Sequence, residues 1–183
     1  MIQLNFNPFP ILETERLMLR NLSVSDKQEM FEIRSNPITM QYIPRPLAKT
    51  MDDVVSVIEM ITGFTKQNER INWAITEKKN NELIGVIGYV NIKPESARAE
   101  VGYVLHHDYA GKGIANEALK AILDYGFNVI KLHSVEAIIR PDNIASVALV
   151  KKNGFVKEAY FREYVFHNGK FWDEEVYSLL NPF

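Results

Sequence analysis

The sequence predicts an α+β domain, a mostly antiparallel mixed sheet of about seven strands with one parallel pair, flanked by about four helices. Three observations carry this. From Ile71 to Leu105 apolar and polar residues alternate with a period of two in three consecutive runs, INWAITE, ELIGVIGYVNI and ARAEVGYVL. A glycine turn then opens a helix with apolar positions Ala115, Ala118, Leu119, Ile122, Leu123, Phe127 and Ile130, and the strand LHSVEAIIR follows, which makes one right-handed crossover between two parallel strands. The chain closes on KEAYFREYVFH and KFWDEEVYSLL, joined by the hairpin turn HNGK.

The remaining elements follow in order. Glu15 to Leu22 alternates as a strand with one buried face. Ser25 is placed to cap a helix, DKQEMFEIRSN, that stops before Pro37. Pro44 and Pro46 make MQYIPRPLAK a surface loop. Thr50 and Asp53 form a capping box for a helix that ends near Gln67, with Val54, Val57, Ile58 and Ile61 on its apolar face. The polar turn KKNN separates the first two period-two strands. Asn143 caps a last helix, IASVALVKKN, which Gly154 closes in the left-handed conformation.

With 183 residues, 46% hydrophobic and 24% charged, the chain is read as one domain over residues 1–183. A net charge of -2 supplies no basic field for direct nucleic-acid binding. The absence of cysteine removes disulfides, thiolate metal sites and a cysteine nucleophile. MIQLNFNPFP has neither a basic n-region nor an apolar h-region, and no apolar run reaches membrane-spanning length, so a cytoplasmic protein without membrane contact is expected.

The stretch HHDYAGKGIANEAL sets Gly111 and Gly113 where a strand stops and a helix starts. Unpaired amides and the helix dipole suit such a turn to an anion such as pyrophosphate. A P-loop is excluded, because Lys112 is preceded by HDYAG and followed by Gly113. A dinucleotide fingerprint, and with it a nucleotide-dependent reductase, needs a third glycine where Asn116 stands, although Glu136 imitates the ribose acid; the single crossover cannot complete a doubly wound sheet. From the turn alone, two glycines that merely shape a tight connection remain an equal reading.

The motifs YAGKGIANEAL, AEVGYVL and NIASVALVKKNGF, with the opening LETERLMLRNLSVSD and the loop QYIPRP, resemble the Gcn5-related N-acetyltransferase (GNAT) superfamily in its ribosomal-protein N-terminal acetyltransferase branch. The resemblance runs from Leu12 to Leu180. It implies the GNAT fold, whose sheet splays at the parallel pair, and acetyl-CoA as co-substrate with no metal. It implies that the amides of Gly111, Lys112, Gly113, Ile114, Ala115 and Asn116 bind the pyrophosphate, while the pantetheine arm pairs with the strand from Glu100 through Leu105 to His106. Ala110 departs from the family's first loop position, which weakens a side-chain contact and leaves the backbone cradle. Lys112 is a further phosphate contact or a solvated lysine, and Asn143 a helix cap first and a cofactor contact second.

Acetyl transfer to an amine needs a neutral amine, a stabilised oxyanion and a proton for the thiolate. Without cysteine, direct attack in a ternary complex is the economical route. Strand alternation puts Glu100, Gly102, Val104 and His106 on one face and Val101, Tyr103 and Leu105 on the other, and Gly102 is expected to leave space beside the Glu100 carboxylate. In the family a glutamate at this place commonly acts as general base through water. Glu100 is therefore the first choice of base, against a salt bridge to Arg98 or another neighbour, with Glu163 second.

The resemblance makes Ser146 the proton donor to the thiolate, against a helix-start serine that only bonds Asn143 or the backbone; Tyr160 is the alternative acid. His106 and His107, as neighbours on a strand, are expected to face opposite sides and to share no metal. The aromatic residues of the last hairpin are read as packing, some of them walling the acceptor cleft.

The expected function is acetyl-CoA-dependent N-acetyl transfer to a primary amine, by resemblance the N-terminal α-amine of a protein such as a ribosomal protein. A small-molecule amine acetyltransferase acting on a polyamine, amino acid or antibiotic, and a non-catalytic acyl-CoA sensor, are the alternatives. A monomer or homodimer is expected.

Overall fold

The computed structural model describes residues 1–182. Eight strands form one sheet in the order β1-β2-β3-β4-β5-β6-β8-β7. They are β1 (Leu12–Glu13), β2 (Leu17–Asn21), β3 (Ile71–Glu77), β4 (Leu83–Lys93), β5 (Arg98–Leu105), β6 (Ser134–Ile139), β7 (Val156–His167) and β8 (Lys170–Leu180). Among the described residues only β5 and β6 run parallel. The strand beyond those expected is β1, whose two residues pair with Met18 and Leu19 and carry too little pattern to be read.

The helices are α1 (Lys27–Ser35), α2 (Pro37–Met40), α3 (Met51–Lys66), α4 (Ile114–Tyr125) and α5 (Ile144–Lys152). They cover both faces of the sheet, so β4 is buried on both sides from Leu83 to Tyr89. On one face Ala118, Leu119 and Ile122 of α4 pack on Trp73, Tyr89 and Val101. On the other, Met30 and Ile33 of α1 and Val54 and Ile58 of α3 pack on Ala74 and Val86.

Three expectations are corrected. The N-terminal cap of the first helical segment is Ser23, not Ser25: Ser23 Oγ accepts from Ser25 N–H, and Asp26 Oδ2 accepts from Ser23 N–H at 2.8 Å, which opens a 3₁₀ turn ahead of α1. Asp26 is the residue that decides this, because it is buried and paired with Arg20 at 2.7 Å. Pro37 does not only stop α1. It is the first residue of α2, capped by Asn36 Oδ1 through the amides of Ile38 and Thr39.

The third correction concerns the end of α4. It leaves the α-helical path at Tyr125 and runs on as a π turn over Gly126–Ile130. Buried Tyr89 donates from Oη to the Ile122 carbonyl at 2.6 Å, inside the helical ladder. A Cβ on Gly126 would lie 2.1 Å from that oxygen, so glycine permits the close approach. The Thr50–Asp53 capping box, the Asn143 cap and left-handed Gly154 stand as expected.

Candidate active site

The parallel pair holds for three positions only: Arg98 opposite Ser134, Ala99 opposite Val135 and Glu100 opposite Glu136. Beyond Glu100 the two strands separate, as the resemblance implies. A cavity of about 350 Å³ opens there, lined by Tyr103, Val104 and Leu105 of β5, Asn143, Ser146 and Leu149 at the start of α5, and Tyr42 and Ile43 of the proline loop. Its far end is the glycine turn, where Gly111, Gly113, Ile114, Ala115 and Asn116 complete the wall.

The turn is built to present backbone. Gly111 and Gly113 adopt φ of +74° and +78°, a region that disfavours residues with a Cβ. Gly113 is the N-cap of α4 and no side chain caps the helix, so its first amides keep their donors for a ligand. Nothing lies within 4 Å of where a Cβ on Gly111 would sit. These features fit a diphosphate, and the cavity fits the arm that follows it.

The expected binding residues divide. Leu105, Gly111, Gly113, Ile114, Ala115, Asn116 and Asn143 line the cavity; His106 and Lys112 do not. The His106 amide donates to the Ile84 carbonyl, and Lys112 Nζ lies 5.1 Å from the centre of the Tyr109 ring. Asn116 Oδ1 accepts from Asn153 Nδ2 at 2.9 Å, tying α4 to the end of α5. Asn143 Oδ1 accepts from Ser146 N–H at 3.2 Å, so the cap is made.

Glu100 is the last paired residue before the split, half-buried and, like Glu163, not part of the cavity lining, with Asn91 opposite it in β4 and Glu136 opposite it in β6. Burial pushes its carboxyl above the usual range, Glu136 adds to this, and Asn91, Lys93 and Arg70 act in the opposite sense. Arg98 is not its partner, since that guanidinium lies 3.2 Å from Glu136 and 2.9 Å from Ser178 Oγ. The space expected at Gly102 is occupied. A bulge at Val90 lays that side chain over the glycine, where a Cβ would lie 3.0 Å from Val90 Cγ1. Glu163 sits exposed on a bulge of β7 with φ of +51°, its amide donating to Asp173 Oδ1 at 2.7 Å, and it does not line the cavity.

Ser146 does line the cavity, and it shares it with a residue the sequence reading placed on a face but gave no role. Tyr103 Oη is buried with no hydrogen bond. Burial raises its pKa, and the Ser146 hydroxyl beside it acts in the opposite sense. The alternation that put Tyr103 opposite Glu100 was the available signal. Tyr160 is elsewhere, donating to the Asp173 carboxylate on the exposed hairpin.

The expectation that the two histidines face opposite sides is overturned. The strand ends at Leu105 and a 3₁₀ turn begins, so alternation stops and the His106 and His107 rings stack with centroids 4.4 Å apart. With Asp108 they bring possible ligand atoms within 4.8 Å of one another. Each has protein partners: His106 Nδ1 accepts from Asp108 N–H, and His107 Nδ1 lies 3.2 Å from Asn36 Nδ2.

None of the hairpin aromatics lines the cavity; Trp172 packs on Arg140 instead. Its ring lies 3.4 Å from the Arg140 guanidinium, which also stacks on Tyr42 and bonds Asp142 and the Gln41 carbonyl. Tyr160, Phe161, Tyr164, Phe166 and Phe171 are exposed, not core. Among the described residues no helix is long and apolar enough to cross a membrane.

Residues 16–156 match the family described as acetyltransferase (GNAT) domain. The chain is 33% identical over 174 residues to the uncharacterized N-acetyltransferase YoaA of Bacillus subtilis, covering 95% of this chain and 98% of that one. It is 31% identical over 124 residues to the ribosomal protein uS5 alanine N-acetyltransferase of Escherichia coli, covering 67% of this chain and 64% of the relative. The fold superposes with a TM-score of 0.86, at 21% identity and over 93% and 98% of the two chains, on RimL, a ribosomal L7/L12 α-N-protein acetyltransferase solved with coenzyme A. Split strands, an uncapped glycine turn and a matched domain lead to one conclusion: the chain belongs to the GNAT acetyltransferase family, an N-acetyltransferase whose co-substrate is acetyl-CoA.

Proposed function

We propose that this N-acetyltransferase acts on the N-terminal α-amine of a protein, of the ribosomal-protein type, with Glu100 as general base and Ser146 as the acid. The observation that carries the reading is the disposition of these groups about the split. Glu100 lies on one face of β5 where pairing with β6 ends, and Ser146 lies on the side of Tyr103, in the cavity that leads back to the glycine turn. In the reaction the amine nitrogen attacks the thioester carbonyl and its proton passes to Glu100, directly or through water. The C–N bond forms, the C–S bond breaks, the departing thiolate takes a proton from Ser146, and solvent water returns a proton to Ser146 as Glu100 gives its own up to solvent.

A single carboxylate base suits an α-amine. With pKa values near 7.8 and 10.4, neutralising a lysine costs about 3.5 kcal/mol more than neutralising an α-amine. The 31% identity to an enzyme named for alanine acetylation on uS5 agrees with this. One observation favours a small polyamine instead: Glu174 of β8 is near enough to Glu100 for their charges to interact, its carboxylate makes no hydrogen bond or ion pair among the described residues, and burial followed by Glu100 raises its pKa.

Thiol release from acetyl-CoA against peptides beginning with Ala or Ser, spermidine and an aminoglycoside tests the proposal. Turnover with the peptides at least tenfold above the others is expected. Preference for spermidine transfers the assignment to the polyamine reading, and coenzyme A binding without release from any amine contradicts catalysis.

A further inference from the structure

The glycine turn is held from outside by the N-terminal hairpin, more than 90 residues away in sequence. Arg16, in the connection between β1 and β2, donates from Nη1 to the Lys112 carbonyl at 3.1 Å and from Nε to Glu117 Oε2 at 2.7 Å. Its backbone amide donates to Glu117 Oε1 at 2.9 Å, and Thr14 Oγ1 donates to the same oxygen. Arg16 Nη2 would lie 3.5 Å from a Cβ placed on Gly113.

Glu117 is the fourth residue of α4. A carboxylate in the first turn suits an isolated helix, because it complements the dipole. Here the same helix end is where a diphosphate is to be bound, and an unpaired carboxylate would repel it. Burial works against ionisation of Glu117, but hydrogen bonds from Thr14 and Arg16 and the charge of Arg16 outweigh it and hold the pKa below the usual carboxylate range. The carboxylate therefore stays charged and needs a counter-charge.

We infer that Arg16 is a positioning residue for coenzyme A: it neutralises Glu117 and fixes the Lys112 carbonyl, so that the turn presents its amides to the diphosphate without a competing negative charge. This rests on the reading of Gly111 to Asn116 as the phosphate cradle. It adds a role for the chain's N-terminal hairpin, which lines no part of the cavity.

Charge neutralisation gives opposite signs for the two partners, which a purely structural latch does not. Titration of coenzyme A into the folded proteins, with thermal melts as the folding check, reads it. Arg16→Gln is expected to weaken the affinity about tenfold. Glu117→Gln alone is expected to strengthen it about threefold, because Arg16 is then uncompensated beside the diphosphate. The double variant returns to within about threefold of wild type.

Unchanged affinity in Arg16→Gln, or weakening in Glu117→Gln, overturns the inference. If Arg16→Gln does not fold, the sign of the Glu117→Gln effect decides alone. Gly113→Val separates this inference from the cradle beneath it. A loss of affinity there with no response at 16 and 117 removes Arg16 from the account, whereas no loss there removes the cradle and the inference with it.

Discussion

Replacing Glu100 by Gln keeps the side chain's shape and its place opposite Asn91 and removes its ability to take a proton. As general base it should account for about 10² to 10⁴ in kcat at pH 7. Burial and Glu136 raise its pKa toward that of the amine, which favours proton transfer between the two. Stability should move the other way. A carboxyl whose pKa is higher in the folded than in the unfolded chain binds its proton more tightly when folded. That contribution is complete below the unfolded value and is lost as pH rises through the folded one. At pH 7 the ionised Glu100 is therefore a cost, and Glu100→Gln should melt at or above the wild-type temperature.

The assay is thiol release between pH 6 and 9 with an Ala-initiated peptide and saturating acetyl-CoA. An α-amine with a pKa near 7.8 is about one-seventh neutral at pH 7 and nearly all neutral at pH 9, so the variant should recover about sevenfold on its own. A deficit that does not change with pH refutes proton removal by Glu100 and leaves it a substrate contact. No deficit at all refutes the assignment.

Ser146→Ala should lower kcat about 10- to 1000-fold, while Tyr103→Phe, which removes a buried hydroxyl whose neighbour is Ser146, stays within about threefold of wild type; the reverse pattern in the same assay transfers the acid to Tyr103. Gly126→Ala should destabilise the fold by about 2–4 kcal/mol in urea titration, because its Cβ meets Tyr89 Oη and displaces the bond to Ile122; a loss below about 1 kcal/mol contradicts the tight approach. Arg140→Ala releases Tyr42, Trp172 and Asp142 from one guanidinium, so chymotryptic cleavage after Tyr42 should quicken about tenfold; an unchanged rate contradicts the clamp.

Much of the framework is legible where local chemistry and tertiary demand agree. The three strands from Ile71 to Leu105, the capping box at Thr50, the HNGK turn and the Asn143 cap each have a local cause strong enough to act alone. What escaped the sequence depends on distant partners. Asp26 moves the first cap because Arg20 reaches it from β2, and the π turn at Gly126 exists because Tyr89 of β4 reaches the Ile122 carbonyl.

The candidate site divides in the same way. Gly111 and Gly113 announce the turn through their backbone freedom, and alternation separates Glu100 from Tyr103. Val90 over Gly102 comes from a bulge that period-two reading cannot contain. The stacking of His106 on His107 follows from a strand ending one residue earlier than alternation assumed. Arg16 was part of a recognised motif, yet its partner Glu117 lies 101 residues on, and only the folded chain brings the two together.

The most direct test of the account gives the enzyme one peptide carrying two amines, an N-terminal alanine and an internal lysine, with acetyl-CoA at pH 7, and locates the acetyl group by fragmentation mass spectrometry. The account predicts one acetyl group on the α-nitrogen, formed in step with thiol release and abolished in Glu100→Gln. Acetyl on the lysine ε-nitrogen, or coenzyme A release with an unmodified peptide, would contradict it.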